Sequence, residues 1–312
     1  MQTVKTKTNG KGANSWSRDF KKNYSLYLIV LPVLIYYIVF HYAPMYGVLM
    51  AFQEYSPRLG IGGSEWVGLT HFAKFLTSSD FSRILGNTLT ISFLNILFGF
   101  PAPVIFALLL NEVRNRHYKK WVQTFSYLPH FISMVVICGM IKVFVDSDGI
   151  IGSVVARITG DQSSLLMQAD KFVPIYIISG IWQTLGWESI VYLAALSGVD
   201  PTYYEAADID GAGRFRKMIS VTLPAIAPTI ITMLILRLGK VMTVGFEKII
   251  LLYNPTIYET SDVISTYVYR MGFDNQSWSY SAAVGLFNAV INLILLFVTN
   301  TVSKKVSETS LW

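Results

Sequence analysis

The sequence predicts an all-α membrane protein with six transmembrane helices. Of its 312 residues, 53% are hydrophobic and only 14% are charged, a balance that is typical of membrane proteins and excludes a soluble enzyme with one large core. The net charge of +6 comes mostly from basic residues beside apolar stretches, which indicates membrane topology and not nucleic-acid binding. The single cysteine, Cys138, excludes an intrachain disulfide and a thiolate metal site.

Six apolar stretches are each long enough to cross a membrane, because a spanning helix needs about 20 apolar residues. They are predicted at about residues 26–43, 85–110, 122–145, 173–196, 225–246 and 281–302. The first follows basic residues, as a signal peptide would, but its length and the lack of a small-x-small cleavage site before His41 indicate a retained helix. Residues 26–302 then form one membrane domain between a disordered N-terminal arm over residues 1–25 and a C-terminal tail over residues 303–312.

The distribution of basic residues predicts the orientation of these spans. If the N-terminus is cytosolic, the inner segments are residues 1–25, 111–121, 197–224 and 303–312, and they hold 15 Lys and Arg in 74 positions. The outer segments, residues 44–84, 146–172 and 247–280, hold 7 in 102 positions. Because loops rich in Lys and Arg stay on the cytosolic side, both termini and residues 201–224 are expected in the cytosol.

A polar island at residues 204–224 interrupts the apolar sequence. Glu205, Ala206 and Ala207 are followed by Gly211, and then by Leu223 and Pro224. Residues 201–210 and 214–222 are predicted as short helices, and residues 211–213 as a flexible break that permits positive φ. An ordinary amphipathic loop between spans is the alternative. A nucleotide-binding loop is discounted because no strand precedes the glycines and no GxxxxGK[ST] pattern occurs.

This spacing resembles the EAA loop of binding-protein-dependent ABC importers, whose permeases use the loop to dock on an ATPase. One departure is Val221, where the family often has isoleucine. The resemblance implies a maltose-permease-like fold in a bacterial cytoplasmic membrane, with the oligosaccharide substrate and lipid as ligands and no nucleic acid. It also implies three kinds of protein partner: a second homologous permease, two cytosolic ATPases that hold the ATP and Mg, and an extracytoplasmic solute-binding protein. This chain itself needs no cofactor. The coupling residues that it implies are Glu205, Ala206, Ala207, Asp208, Asp210, Gly211, Leu223 and Pro224.

The first outer segment resembles permeases for complex carbohydrates, the branch associated with lipoprotein-linked polysaccharide uptake. The residues that carry this resemblance are Met50, Ala51, Phe52, Tyr55, Gly60, Gly62, Gly63, Trp66, Val67, Gly68, Leu69, Asn87 and Thr88. His71, Phe72 and Phe75 have the spacing of a short amphipathic helix on the membrane surface. An interfacial aromatic belt explains these rings at least as well as a substrate site.

Polar residues inside the predicted spans indicate a solvated pathway, since such residues are costly in a bilayer. Planar polar groups bind sugar hydroxyls and aromatic rings stack on sugar rings, so the pathway candidates are Trp182, Gln183, Trp187, Glu188, Arg237, Lys240, Asn288 and Asn292. Asn95 lies in the second span. The alternative is that these residues join helices to one another, with Glu188 neutralising Arg237 or Lys240 as a buried pair.

The basic residues permit a narrower hypothesis about the substrate. If Arg237, Lys240 and Lys142 face the pathway and only Glu188 opposes them, the cavity is positive and favours an acidic, uronate-containing oligosaccharide. Ser281, Gly285 and Ala289 form a small-residue stripe that fits against either a second permease or a helix of the same chain.

Catalysis by this chain is not expected. Its four histidines are scattered, and the sequence contains no HExxH or GxSxG pattern, so an intramembrane enzyme lacks its catalytic groups. An ion- or proton-coupled secondary transporter is the main alternative function, because charges lie inside the spans. That class predicts an inverted repeat with broken helices at matching positions, and the sequence shows neither.

Overall fold

The first membrane helix starts well before the predicted first span. The computed structural model describes residues 15–307, and its first helix, α1, covers Ser15–Tyr37 with a kink at Asn23. The helix continues through a π-helical turn at Ile38–Tyr42, α2 (Ala43–Met45) and a 3₁₀ segment at Tyr46–Phe52. The predicted disordered arm is therefore wrong for residues 15–25. One reason is local: the Asp19 carboxylate accepts hydrogen bonds from Asn23 and Tyr27, both at 2.7 Å.

The other predicted spans correspond to single or interrupted helices. The second is α5 (Ser79–Leu94), a π-helical turn (Asn95–Gly99) and α6 (Pro101–Asn111). The third is α7 (Arg116–Tyr127), a 3₁₀ turn (Leu128–Phe131) and α8 (Met134–Val145). The fourth, fifth and sixth are α10 (Ala169–Ser197), α13 (Leu223–Leu238) and α17 (Trp278–Ser307). The fifth is shorter than predicted, because the chain leaves the helix at Gly239 and the side chain of Asn292 accepts the Met242 N–H.

Within residues 15–307, four helices are long and apolar enough to cross a membrane, and a fifth span results if a pair bent by 101° around residues 132–133 is counted as one. Helix α10 is not among them, since Gln183 and Glu188 interrupt its apolar sequence. Its 29 residues would nevertheless extend about 43 Å, which exceeds a hydrocarbon core of about 30 Å. The fold is therefore that of a helical membrane protein, and the count of six spans remains a prediction.

Short helices and a strand pair lie between the spans. They include a two-stranded antiparallel hairpin that the all-α prediction lacked, formed by β1 (Gln53–Glu54) and β2 (Glu65–Trp66), with Gln53 opposite Trp66. The helices are α3 (Gly60–Gly63), α4 (Thr70–Leu76), α9 (Ile150–Thr159), α14 (Phe246–Leu252), α15 (Tyr258–Ser261) and α16 (Ile264–Tyr269). Single 3₁₀ turns lie at Leu165–Met167 and Pro255–Ile257, and a π-helical turn at Arg270–Asp274.

Helix α4 is amphipathic as predicted, with His71 and Phe75 buried and Ala73, Lys74 and Leu76 exposed; its position on the membrane surface stays a prediction. Phe75 is 1% exposed, and its ring contacts those of Tyr267, Tyr280 and Phe287. His71 is also buried, and its Nε2 lies 3.1 Å from the backbone oxygen of Gln53. Full burial of a phenylalanine side chain stabilises the fold by about 1.5–3 kcal/mol relative to leaving it exposed.

The small-residue stripe of α17 faces its own chain. The hydroxyl of Ser281 donates to the Val268 carbonyl at 2.7 Å, and a Cβ added at Gly285 would lie 4.0 Å from the Val268 side chain. Ala289 is exposed. Of the two alternatives for this stripe, the neighbouring helix of the same chain is therefore the one in contact.

We expect Gly186→Ala to destabilise the protein by about 1–3 kcal/mol, the usual cost of overpacking. Helices α7 and α10 cross so closely that a Cβ atom at Gly186 would lie 2.3 Å from the backbone oxygen of Ser126. The thermal unfolding midpoint of the purified protein in detergent measures the effect. Gly139→Ala on α8 is the matched control, because nothing lies within 4 Å of its added Cβ. Equal midpoints for the two variants would show that the crossing tolerates a methyl group.

Candidate functional site

The predicted helix, break and helix of the polar island are confirmed by the structure. Helix α11 covers Pro201–Ile209 and α12 covers Arg214–Lys217, after which a π-helical turn at Met218–Thr222 leads into α13. The Asp200 carboxylate caps α11 by accepting the Thr202 N–H at 2.9 Å, and this backbone hydrogen bond lowers the pKa of Asp200. Pro201 stands at the first position, where a helix does not need its N–H.

Two side-chain contacts hold the two short helices and the following turn together as one unit, which we call the coupling knob (residues 200–222). Lys217 pairs with the Asp208 carboxylate at 2.7 Å, and the Tyr204 hydroxyl lies 3.1 Å from that of Thr222. Between them, Gly211 has a φ of +72°, a left-handed conformation that favours glycine. The knob thus has a defined shape that depends on its turn.

The predicted coupling residues lie mostly on the surface. Exposed are Glu205, Ala206, Asp208, Asp210, Gly211, Leu223 and Pro224, while Ala207 is half-buried. Leu223 and Pro224 belong to the first turn of α13 and not to the knob. Ile209 and Phe215, whose apolar side chains are 88% and 70% exposed, were not among the predicted coupling residues. Both could have been identified from the sequence, since they are large apolar residues within a polar loop.

Inside the bundle, Arg237 is the centre of a polar cluster that joins three helical segments. Its guanidinium donates to the Glu188 carboxylate at 3.0 Å and to the Asn95 side-chain oxygen at 2.6 Å. Gly99 leaves room for this pair, because a Cβ there would lie 2.6 Å from the Asn95 oxygen. The predicted alternative, in which Glu188 neutralises Arg237, is therefore the arrangement observed.

Two polar cavities adjoin this cluster and share Asn95, Arg237 and Gly245 in their linings. The first polar cavity has a volume of about 310 Å³, and its charged lining residues are Glu188, Arg237, Glu247 and Lys248. The second polar cavity has a volume of about 150 Å³, and its lining includes Arg237 and Lys240 but no carboxylate. Hydrogen-bonding groups around an open volume are what a sugar pathway requires.

The structure brings only some of the predicted pathway residues to these cavities. Gln183 is buried in the lining of the first, and Lys240 lines the second. Trp182 lines a separate apolar groove between α8, α9 and α10, and Trp187 stacks on His130 with ring centroids 4.4 Å apart. Neither tryptophan is among the lining residues of a polar cavity. The predicted stacking role of these rings has no geometry to support it in this conformation.

The two asparagines of α17 and Lys142 also lie away from the cavities. Asn292 accepts from the Met242 N–H and donates to the Thr243 hydroxyl, both at 3.0 Å, so it joins α17 to the non-helical segment after α13, a structural contact like the predicted alternative but not one between two helices. The side-chain oxygen of Asn288 is buried and, within residues 15–307, has no hydrogen-bond partner. Lys142 is exposed on α8 and lines neither cavity, so its place in the predicted positive cavity is wrong.

Lys248 is a cavity residue that was not predicted, because its position places it in the predicted outer segment 247–280. This lysine is 5% exposed on α14, and it lines the first polar cavity. A weak signal was present, because Lys248 is followed by four consecutive apolar residues, Ile249 to Leu252.

Comparisons with known proteins give one consistent result. A family described as "Binding-protein-dependent transport system inner membrane component" matches residues 99–308. Protein LplB of Bacillus subtilis (strain 168) is 47% identical over 319 residues, which cover all of both chains. The polygalacturonan/rhamnogalacturonan transport system permease protein YteP of the same organism is 45% identical over 288 residues, 92% of this chain and 90% of its own.

Solved structures agree with these relatives. Two crystal structures of bacterial ABC transporters for alginate, described in one case as an acidic polysaccharide, contain a chain that superposes on this one with a TM-score of 0.86. The identities are 44% and 43%, and each alignment covers 94% of this chain and 99% of the other. One of the two is a complex with an alginate pentasaccharide-bound periplasmic protein.

Proposed function

The chain belongs to the family of binding-protein-dependent transport system inner membrane components and is a permease of an ABC importer for oligosaccharides, and we propose that its substrate is an acidic oligosaccharide that contains uronate units. The observation that carries this proposal is the match along nearly the whole chain to a permease of the alginate importer. The relative YteP is a second permease, named for polygalacturonan and rhamnogalacturonan.

The charges at the two polar cavities support an acidic substrate. Arg237, Lys240 and Lys248 line them, against the carboxylates of Glu188 and Glu247. Glu188 is already paired with Arg237, so Lys240 and Lys248 are the cations left to attract an anion. In the predicted distribution Arg237, Lys240 and Lys142 faced only Glu188; in the structure Lys248 takes the place of Lys142, and Glu247 is a second carboxylate.

A second permease is proposed as the partner of the first membrane helix. In the segment Asp19–Phe52, the most apolar window has none of its residues buried inside the chain. Ile29 and Phe40 are 71% and 66% exposed. Helices associate in a membrane through van der Waals packing. Because the rest of the chain does not cover this span, its surface is available to pack against a helix of the second permease.

The coupling knob is proposed to dock on a cytosolic ATPase. Glu205 and Asp210 present exposed carboxylates, and Ile209 and Phe215 present apolar surface beside them. The permease then turns with the ATPase dimer, which holds ATP and Mg, and the cavities open alternately to either side of the membrane. A periplasmic binding protein delivers the sugar at the opposite face, as in the alginate complex, and both termini are cytosolic by the bias in basic residues.

To test this function, the tagged chain is purified in mild detergent from its native membranes and every protein that co-purifies with it is identified. The complex is then reconstituted in vesicles. We expect a second permease and an ATPase to co-purify. Uptake of an oligogalacturonate should require ATP and the binding protein, and should exceed uptake of a maltooligosaccharide of equal length. Purification without an ATPase, together with solute uptake driven by an ion gradient, would instead support the secondary transporter.

A further inference from the structure

Lys248 is a buried cation without an acidic partner. Its side chain reaches α10, where its ammonium donates to the Tyr176 carbonyl at 3.1 Å and lies 5.0 Å from the centre of the Tyr176 ring. In the part of the chain that the structure describes, no carboxylate forms an ion pair with it within 4.0 Å. An ammonium has three donors, and burying it without an opposite charge is costly.

The surroundings of this ammonium leave space for a ligand. Lys248 lines the first polar cavity, whose volume of about 310 Å³ is at the lower end of the range of about 300–1,000 Å³ for small-molecule sites. Gly180 stands beside the ammonium, and a Cβ there would lie 3.5 Å from it. Helix α10 therefore has no side chain at the position beside the Lys248 ammonium.

The other charged groups of the cavity make Lys248 the position for an anion. Arg237 already has Glu188 as its partner at 3.0 Å. Glu247 lines the same cavity and forms no ion pair among the described residues. Because both carboxylates repel an anion and Lys240 lines only the second polar cavity, Lys248 is the cation of the first polar cavity that has no ion-pair partner among the described residues.

If the chain imports acidic oligosaccharides as proposed above, Lys248 has a direct role in their selection. We propose that Lys248 binds a carboxylate of the sugar inside the membrane pathway and determines the preference for uronates. The ammonium is a mobile point charge and offers one contact, unlike the bidentate fork of an arginine. A pathway must hold its substrate strongly enough to select it and weakly enough to release it. A single lysine satisfies both conditions, and its carbonyl contact with Tyr176 stabilises the charge between transport cycles.

The test uses the complete transporter in vesicles with two probes, a trigalacturonate and its methyl ester, which has the same backbone without the charges. We expect wild type to prefer the acid. Lys248→Met should lower uptake of the acid about tenfold, the effect of losing one charged hydrogen bond, and should change uptake of the ester less than twofold. Lys248→Arg should retain the preference, and Glu247→Gln should increase uptake of the acid.

Lys171→Met is the matched control, since it removes an exposed lysine of α10 that is paired with Asp170 and should leave both rates unchanged. An equal loss of acid and ester in Lys248→Met would overturn the assignment and make Lys248 a structural residue. Equal uptake of both probes by wild type would also overturn it, while leaving the importer intact. If wild type takes up neither probe although the complex hydrolyses ATP, the proposed uronate substrate fails, and the role of Lys248 fails with it.

Discussion

Gly211→Pro is expected to abolish ATP-driven uptake while the protein remains folded in the membrane. Gly211 has a φ of +72°, whereas proline fixes φ near −65°, so the turn between α11 and α12 cannot keep its shape. The variant also loses the hydrogen bond from the Gly211 N–H to the Asp208 carbonyl at 3.0 Å. Because the proposed docking surface comprises both short helices, a change in their angle separates the ATPase from the permease. Uptake and ATP hydrolysis, measured on the same vesicles, report the loss.

Gly213→Pro is the matched control two residues away. Gly213 has a φ of −68°, which proline adopts without strain, and a side chain at this position meets nothing within 4 Å. We expect this variant to retain most of its uptake. The coupling role of the knob would be rejected if both proline variants transport like wild type, and a loss of both from the membrane would point to folding instead.

Asp262→Asn is expected to destabilise the protein by about 3–5 kcal/mol, the cost of removing one partner of a buried ion pair. Asp262 is 0% exposed, and its two oxygens accept from the Arg270 guanidinium at 3.0 and 2.6 Å. Thr266 donates to the same carboxylate at 2.9 Å, and Arg83 lies 3.7 Å away. The amide leaves the half-buried Arg270 beside the Tyr258 ring without a full counter-charge. The thermal unfolding midpoint in detergent should fall by many degrees.

Asp170→Asn provides the comparison for that measurement. Asp170 also pairs with a neighbouring cation, Lys171, at 2.5 Å, but its side chain is 69% exposed. Exposed pairs contribute about 0–1 kcal/mol, so this variant should unfold near the wild-type midpoint. A small effect for Asp262→Asn, similar to that of Asp170→Asn, would mean that water replaces the lost charge at this site.

The membrane class, the position of most spans and the shape of the coupling knob could be predicted because they depend on nearby residues. A helix crosses a bilayer when about 20 successive residues are apolar. The turn at Gly211 follows from a glycine between two segments that favour a helix, residues 201–210 and 214–222. The errors lie where local and distant forces compete. The spacing of Phe75 predicts an amphipathic helix, but only the tertiary structure shows that its ring packs against Tyr267, Tyr280 and Phe287.

By itself, the sequence determined that this chain is a helical permease with an exposed loop of helix, turn and helix, since hydrophobic length and motif spacing are properties of continuous segments. Only the tertiary structure decided which polar groups meet. Arg237 binds Asn95, 142 positions away, and Glu188, 49 positions away. Lys248, which the charge distribution places in an outer segment, lies on α14 and lines the first polar cavity. These contacts depend on how each helix is rotated and where it crosses its neighbours, which packing over the whole bundle sets and no single segment encodes.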